Sequence, residues 1–172
     1  MLSTSGTIRN QISEAVTVIS THDFYKEWPT LLKELVDKMA TNDLNQIHGI
    51  LVTAHSIFNK YRDQYETEDL VDEVNYIIKG FAPTLLKYIV SFSEILKSNP
   101  PPQVYPCLQF LLEIFYTLNS INLPAYFEEK IKEFMSLFDF ILKQSIPIDH
   151  IIIKCLIMDS LNVYMEKYSL GI

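Results

Sequence analysis

Residues 21–32 read THDFYKEWPTLL, and this stretch decides the fold. It holds the only tryptophan, Trp28, immediately before Pro29, between two segments whose apolar residues recur at helical spacing. Pro29 removes a backbone donor and biases Trp28 away from helical conformation, so a helix ending near His22 cannot run through it. Proline is accommodated at the first position of a new helix, and Leu31, Leu32, Leu35, Val36 and Met39 then follow on one face. The stretch therefore predicts a corner between two helices, pinned by Phe24 and Trp28, with Trp28 largely buried and Pro29 opening the second helix.

Similar two-helix units recur from this corner to the end of the chain. Upstream, Ser5 or Thr4 can cap a first helix in which Ile8, Ile12, Ala15, Val16 and Ile19 share a face. Downstream, Thr41-Asn42-Asp43 is turn and cap chemistry before a third helix, from about Leu44 to Arg62. Thr67 or Glu68 starts a fourth and long helix, in which Gly80 and Pro83 predict a kink. Asn99 and three prolines, Pro100 to Pro102, end it. A fifth helix spans about Gln103 to Asn119 with Leu108, Leu111, Leu112, Phe115 and Leu118 inward, and Pro124 opens a sixth that carries Phe127, Ile131, Phe134, Met135, Phe138, Ile141 and Leu142. A seventh, from about Asp149 to Met165, is apolar nearly all round. No stretch shows sustained period-two alternation, so no sheet is expected.

The helices pair as 5–41, 43–98 and 102–144, leaving 149–166 unpaired in a single solenoid segment over residues 1–172. HEAT and armadillo repeats are about 40–47 residues long, and the long fourth helix explains a wider gap. The fold class predicted is all-α, a right-handed superhelical stack of HEAT/ARM-type antiparallel helix pairs. A compact helical bundle is the alternative, and the unpaired last helix favours the open stack. One side of that helix has no sequence left to cover it, which predicts an exposed apolar face and self-association through residues 149–166.

Composition agrees with a helical reading and excludes several functions. Hydrophobic residues make up 48%, whereas glycine, which hairpin turns require, occurs only 4 times. A net charge of −7 argues against nucleic acid, because phosphate binding needs clustered Lys and Arg. The most apolar run, Ile146 to Leu161, is interrupted by Asp149, Lys154 and Asp159, which speaks against membrane insertion. Cys107 and Cys155 have no metal-ligand spacing and read as reduced thiols of a nucleocytosolic protein. His48 and His55 could share a helix face but lack a His-Glu-x-x-His pattern, and Ser56 lacks a nucleophile elbow. No catalytic, cofactor-binding or metal-binding residues are assigned, and no enzyme is expected.

Three stretches carry a family resemblance. The corner DFYKEWPTLL resembles the Asp-Phe-Pro-x-x-Trp-Pro-x-Leu-Leu corner of importin-β-type transport receptors, with Tyr25 in place of the usual proline. GILVTAHSIFNKYR, Gly49 to Arg62, resembles the following helix of the importin-α re-exporters, also called cellular apoptosis susceptibility proteins. FYTLNSINLPAYFEE, Phe115 to Glu129, is similar to that family's Phe-Tyr-Ser-Leu-Asn … Leu-Pro-Glu-Phe-Phe-Glu segment. The resemblance implies an internal fragment near the N-terminus of a longer solenoid, with Met1 an internal methionine. It also implies an export receptor that binds importin-α together with GTP-bound Ran in the nucleus and releases both in the cytoplasm. The loop from Lys143 to Asp149 departs from the pattern, being short and neutral where some relatives carry an acidic insertion. A generic HEAT-repeat scaffold without Ran dependence is the alternative function.

The candidate binding residues are acidic. Glu66, Glu68, Asp69, Asp72 and Glu73 crowd the start of the fourth helix, and Glu128, Glu129 and Glu133 the start of the sixth. Acidic groups at a helix N-terminus are favourable by about 0.3–1 kcal/mol each, which alone can account for them. The resemblance implies a second role, because importin-α has a basic N-terminal segment and Ran has basic patches that a concave helical surface would receive.

Overall fold

The computed structural model describes residues 15–16, 18–20, 23–24, 26–62, 64–65, 67–120 and 124–169. Among them there is no strand. The helices are α1 (Leu31–Met39), α2 (Leu44–Phe58), α3 (Glu68–Ile95), α4 (Val104–Ser120), α5 (Ala125–Glu129), α6 (Ile131–Lys143) and α7 (Ile152–Ser169). A 3₁₀ turn, Asn59–Tyr61, extends α2, and another, Ile148–His150, precedes α7. Residues 18–20 are helical ahead of the corner, while Ile8 and Ile12 of the expected first stripe lie outside the described residues. Ala15 and Ile19 of that stripe are exposed, and Ser20 is the buried residue there.

The caps fall where the sequence places them. Asp43 accepts a hydrogen bond from the Asn45 amide at 2.9 Å, and Thr67 Oγ1 accepts from the Leu70 amide at 3.3 Å. Each satisfies one of the amides that a helix start leaves unpaired. Helical bonding in α3 continues across Pro83, which is exposed, so water can serve the Lys79 carbonyl that proline leaves without a donor. A Cβ on Gly80 would fall 2.5 Å from Leu32 Cδ2, so glycine is what lets α1 approach α3 this closely.

The helices form two layers. In one, α2 packs along α4 and α4 along α7; in the other, α1 lies beside α3 and α3 beside α6. Side-chain contacts fix the direction within each layer. Cys107 Sγ near the start of α4 lies 3.6 Å from the Leu44 carbonyl at the start of α2, and Arg62, after α2, lies 5.0 Å over the Tyr116 ring near the end of α4. The next step repeats this: His150 stacks on Tyr105 at 4.9 Å at one end, and Lys167 donates to the Asn119 carbonyl at 2.7 Å at the other. In the second layer, Tyr76 of α3 donates to the Pro29 carbonyl at 2.8 Å, and Tyr88 donates to the Met39 carbonyl. The two tyrosines span about 18 Å of helix, enough to bracket α1 from end to end. Helices within a layer are thus parallel, and the fold is an all-α stack of antiparallel pairs.

Aromatic rings join the layers. Phe58 of α2 meets Phe81 of α3 edge-on at 5.2 Å. Phe115 of α4 touches Phe127 at 5.2 Å, Phe134 at 4.6 Å, Phe138 at 5.2 Å and Tyr164 at 6.1 Å. All five are buried. The expected sixth helix is divided at Lys130 (φ −95°, ψ 8°) into α5 and α6.

The corner itself differs from expectation in two ways. Pro29 does not open α1: Thr30 stands between it and the helix, with its hydroxyl donating to Glu34 at 2.8 Å, and the Glu27 and Trp28 amides both turn back to the Asp23 carbonyl at 2.9 Å. Phe24, not Trp28, is the buried anchor, lying 6.5 Å from Phe58 and 6.2 Å from Tyr76, while Trp28 is half-buried and packs on the rim of the core. Phe24→Ala should therefore cost about 3–5 kcal/mol in urea unfolding and Trp28→Ala distinctly less. Equal losses, or a larger loss at Trp28, would contradict the assignment.

Candidate protein-docking surface

The acidic residues singled out from the sequence do not form one surface. Glu68 and Asp69 occupy the first turn of α3 and are exposed, as is Asp72; with Thr67 and Val71, Glu68 and Asp72 edge a shallow depression. Glu73 faces inward instead. It accepts from Lys60 Nζ at 2.8 Å and from the Tyr61 hydroxyl, while Lys60 also lies 5.5 Å from the centre of the Phe24 ring. Glu73 is thus part of the lock between α2, α3 and the corner, with its charge already matched. Glu66 lies outside the described residues.

Glu128 and Glu129 are exposed on α5, whereas Glu133 is paired with Lys130 at 2.7 Å. Lys97, just past α3, lies 5.4 Å from the Phe140 ring near the end of α6, so the two parallel helices finish at one level. α3 has 28 residues and α6 has 13. At about 1.5 Å per residue, α3 therefore starts on the order of 20 Å beyond the start of α6. Glu68, Asp69 and Asp72 sit on the part of α3 that runs past the start of α6, whereas Glu128 and Glu129 sit on the separate short helix α5. The sequence cannot show this offset, because it depends on unequal helix lengths being aligned at one end.

On the other layer, His48 and His55 flank the Phe110 ring at 5.5 and 5.3 Å, and His55 Nε2 lies 3.4 Å from a Glu113 carboxylate oxygen. Burial holds both imidazoles below their ordinary range. At His55 the Glu113 charge opposes that shift and Arg62 adds to it. Burial pushes the Cys107 thiol up to about 12, so it is no nucleophile at neutral pH. Among the described residues no group of three or more His, Cys, Asp and Glu could hold a metal ion, and no helix is long and apolar enough to cross a membrane.

α7 is held by two lysines whose role the sequence does not reveal. Lys154 donates to the Leu142 carbonyl at 2.8 Å, at the C-terminus of α6, and Lys167 does the same at the C-terminus of α4. Cations at helix C-termini are electrostatically favourable. The inward side of α7 is Ile153, Ile157, Ser160 and Tyr164; the outward side exposes Ile151, Ile152 and Met158, with Ile148 of the preceding turn 78% exposed.

Two parallel helix layers built from stacked antiparallel pairs define a helical-repeat protein. The Cse1 family model matches residues 57–170, and the chain belongs to the Cse1 family. Exportin-2 of Drosophila melanogaster is 28% identical over 98% of this chain and 19% of that protein. Exportin-2 of Homo sapiens is 31% identical over 83% of this chain and 15% of that protein. A solved structure of the exportin Cse1 in its cargo-free, cytoplasmic state superimposes with a TM-score of 0.83 at 26% identity, covering 94% of this chain and 19% of that one. The chain thus spans less than a fifth of the length of the relatives it matches.

The two histidines give the fold a pH dependence. Their folded pKa values lie below the unfolded value, so the unfolded chain binds more protons in mild acid. Their contribution is complete above about pH 6.5 and is lost as pH falls from there through the folded values. The urea midpoint should drop between pH 7.5 and 5.5, and by less in the His48→Gln/His55→Gln double variant. Identical drops in the two proteins would contradict this.

Proposed function

We propose that this chain is one solenoid segment, residues 1–172, of a nuclear export receptor that carries importin-α out of the nucleus with GTP-bound Ran. Such a receptor works in both nucleus and cytoplasm, by protein–protein binding on a concave helical surface and without catalysis. The observation that carries the reading is the likeness of nearly the whole chain to the exportin Cse1, in sequence and in the arrangement of its helices. In this reading the second helix of each pair (α1, α3 and α6) lines the concave side. Glu68, Asp69 and Asp72 form one contact for a basic partner, and Glu128 and Glu129 a separate one. Glu73 and Glu133, already paired with lysines, serve the fold first. The outward face of α7 is where the isolated chain would self-associate.

Calorimetry with importin-α, with and without GTP-loaded Ran, tests the proposal on the 172-residue chain and on a longer receptor that carries it. The longer receptor should bind importin-α more tightly when Ran is present, and Glu68→Lys/Asp69→Lys/Asp72→Lys should weaken that binding most at low salt. The segment alone should form no Ran-dependent complex. Ran-independent binding by the longer receptor would favour a generic scaffold, and tight Ran-enhanced binding by the segment alone would misplace the partner sites.

A further inference from the structure

Among the tyrosines whose side chains are described, the one between α2 and α3 differs from the rest. Tyr65 is 93% exposed, whereas Tyr61, Tyr105 and Tyr164 are buried. Tyr76 and Tyr88 are spent on the carbonyls of Pro29 and Met39, Tyr116 lies under Arg62, and Tyr126 packs edge-on against Phe127. Tyr65 has no such use among the described residues. Its neighbours Gln64 and Thr67 are also exposed, and the backbone is extended at both ends of the connection, at Arg62 (ψ 136°) and at Thr67 (φ −129°, ψ 156°). Tyr61 before it is buried, and Thr67 after it caps α3.

We infer that Tyr65 is a tyrosine-phosphorylation site whose phosphate adds to the negative charge at the start of α3. A kinase needs an acceptor hydroxyl that its nucleotide can reach, and the exposed Tyr65 offers one. Its flanks, Asp63, Glu66, Glu68 and Asp69, suit an enzyme with a basic substrate groove. In the reaction Tyr65 Oη bonds to the γ-phosphorus of a magnesium nucleoside triphosphate. The bridging bond to the β-phosphate breaks, the diphosphate leaves with the electron pair, and the phenolic proton passes to the kinase base. The product carries about −1.5 to −2 more charge, two residues before the cap of a helix whose N-terminus favours anions. This regulatory role rests on the proposal that Glu68, Asp69 and Asp72 receive a basic partner.

The test treats the 172-residue chain and Tyr65→Phe with a purified acidic-site tyrosine kinase and magnesium ATP. The tryptic peptide 63–79 is then sequenced by mass spectrometry, which separates Tyr65 from Tyr76 in the same peptide. Both forms of the chain are titrated with an octalysine peptide at low and physiological salt. The expected result is phosphate on Tyr65, absent from Tyr65→Phe, with octalysine bound about three- to tenfold more tightly at low salt and with a steeper salt dependence. No phosphate on Tyr65, or earlier phosphate on another tyrosine, overturns the inference. Phosphorylation with unchanged octalysine affinity overturns it while leaving the acidic docking surface intact. If neither form binds octalysine, the docking surface fails as well, and the inference with it.

Discussion

Phe115 is the contact on which the rest of the stack depends. Its ring meets Phe127, Phe134, Phe138 and Tyr164 and so joins α4 to α5, α6 and α7 at one point. Edge-to-face and tilted ring pairs of this kind add about 0.5–1.5 kcal/mol each beyond the area they bury. α4 also packs along α2 and against α3, so no residue of it is exposed and a stripe through Pro106, Gln109, Glu113 and Tyr116 is partly open. In a solenoid each pair touches only the adjacent pairs, and the element covered from both directions carries most of the cooperativity.

Around that centre, polar contacts set the register. The hydrogen bonds of Tyr76 and Tyr88 fix α1 against α3, and Lys154 and Lys167 fix α7 against α6 and α4. Tyr88, Lys154 and Lys167 each donate to a carbonyl in the last turn of a helix, whereas Tyr76 donates to the Pro29 carbonyl just ahead of α1. Apolar packing alone would let parallel helices slide by a turn; a donor at a defined position prevents it.

Much of this was legible in the sequence because it is local. The cap chemistry of Thr41-Asn42-Asp43 and the helix start at Thr67 or Glu68 resolve to Asp43 and Thr67, since the capping bond runs only two or three residues along the chain. The apolar spacing of α4 and α6 gave their buried faces for the same reason. What was not legible depends on distant chain segments. Trp28 promised to be the corner's anchor by size, yet Phe24 is the one that points toward Phe58, on the next pair. Glu73 looked like its acidic neighbours, but Lys60, 13 residues earlier, claims it. The placing of Glu68, Asp69 and Asp72 on the part of α3 that outruns α6 is likewise recorded by no local pattern. Family membership, by contrast, was readable from three short stretches.

The central claim is that the fold is a two-layer stack centred on α4. Native-state hydrogen exchange tests it most directly, because each amide reports the opening that exposes it. Amides of α4, Leu108 to Leu118 above all, should be the slowest in the chain and should exchange only through global unfolding. Those of α1 and the second half of α7, each covered from fewer sides, should open earlier. Exchange in α4 as fast as in α1 or α7 would contradict the account.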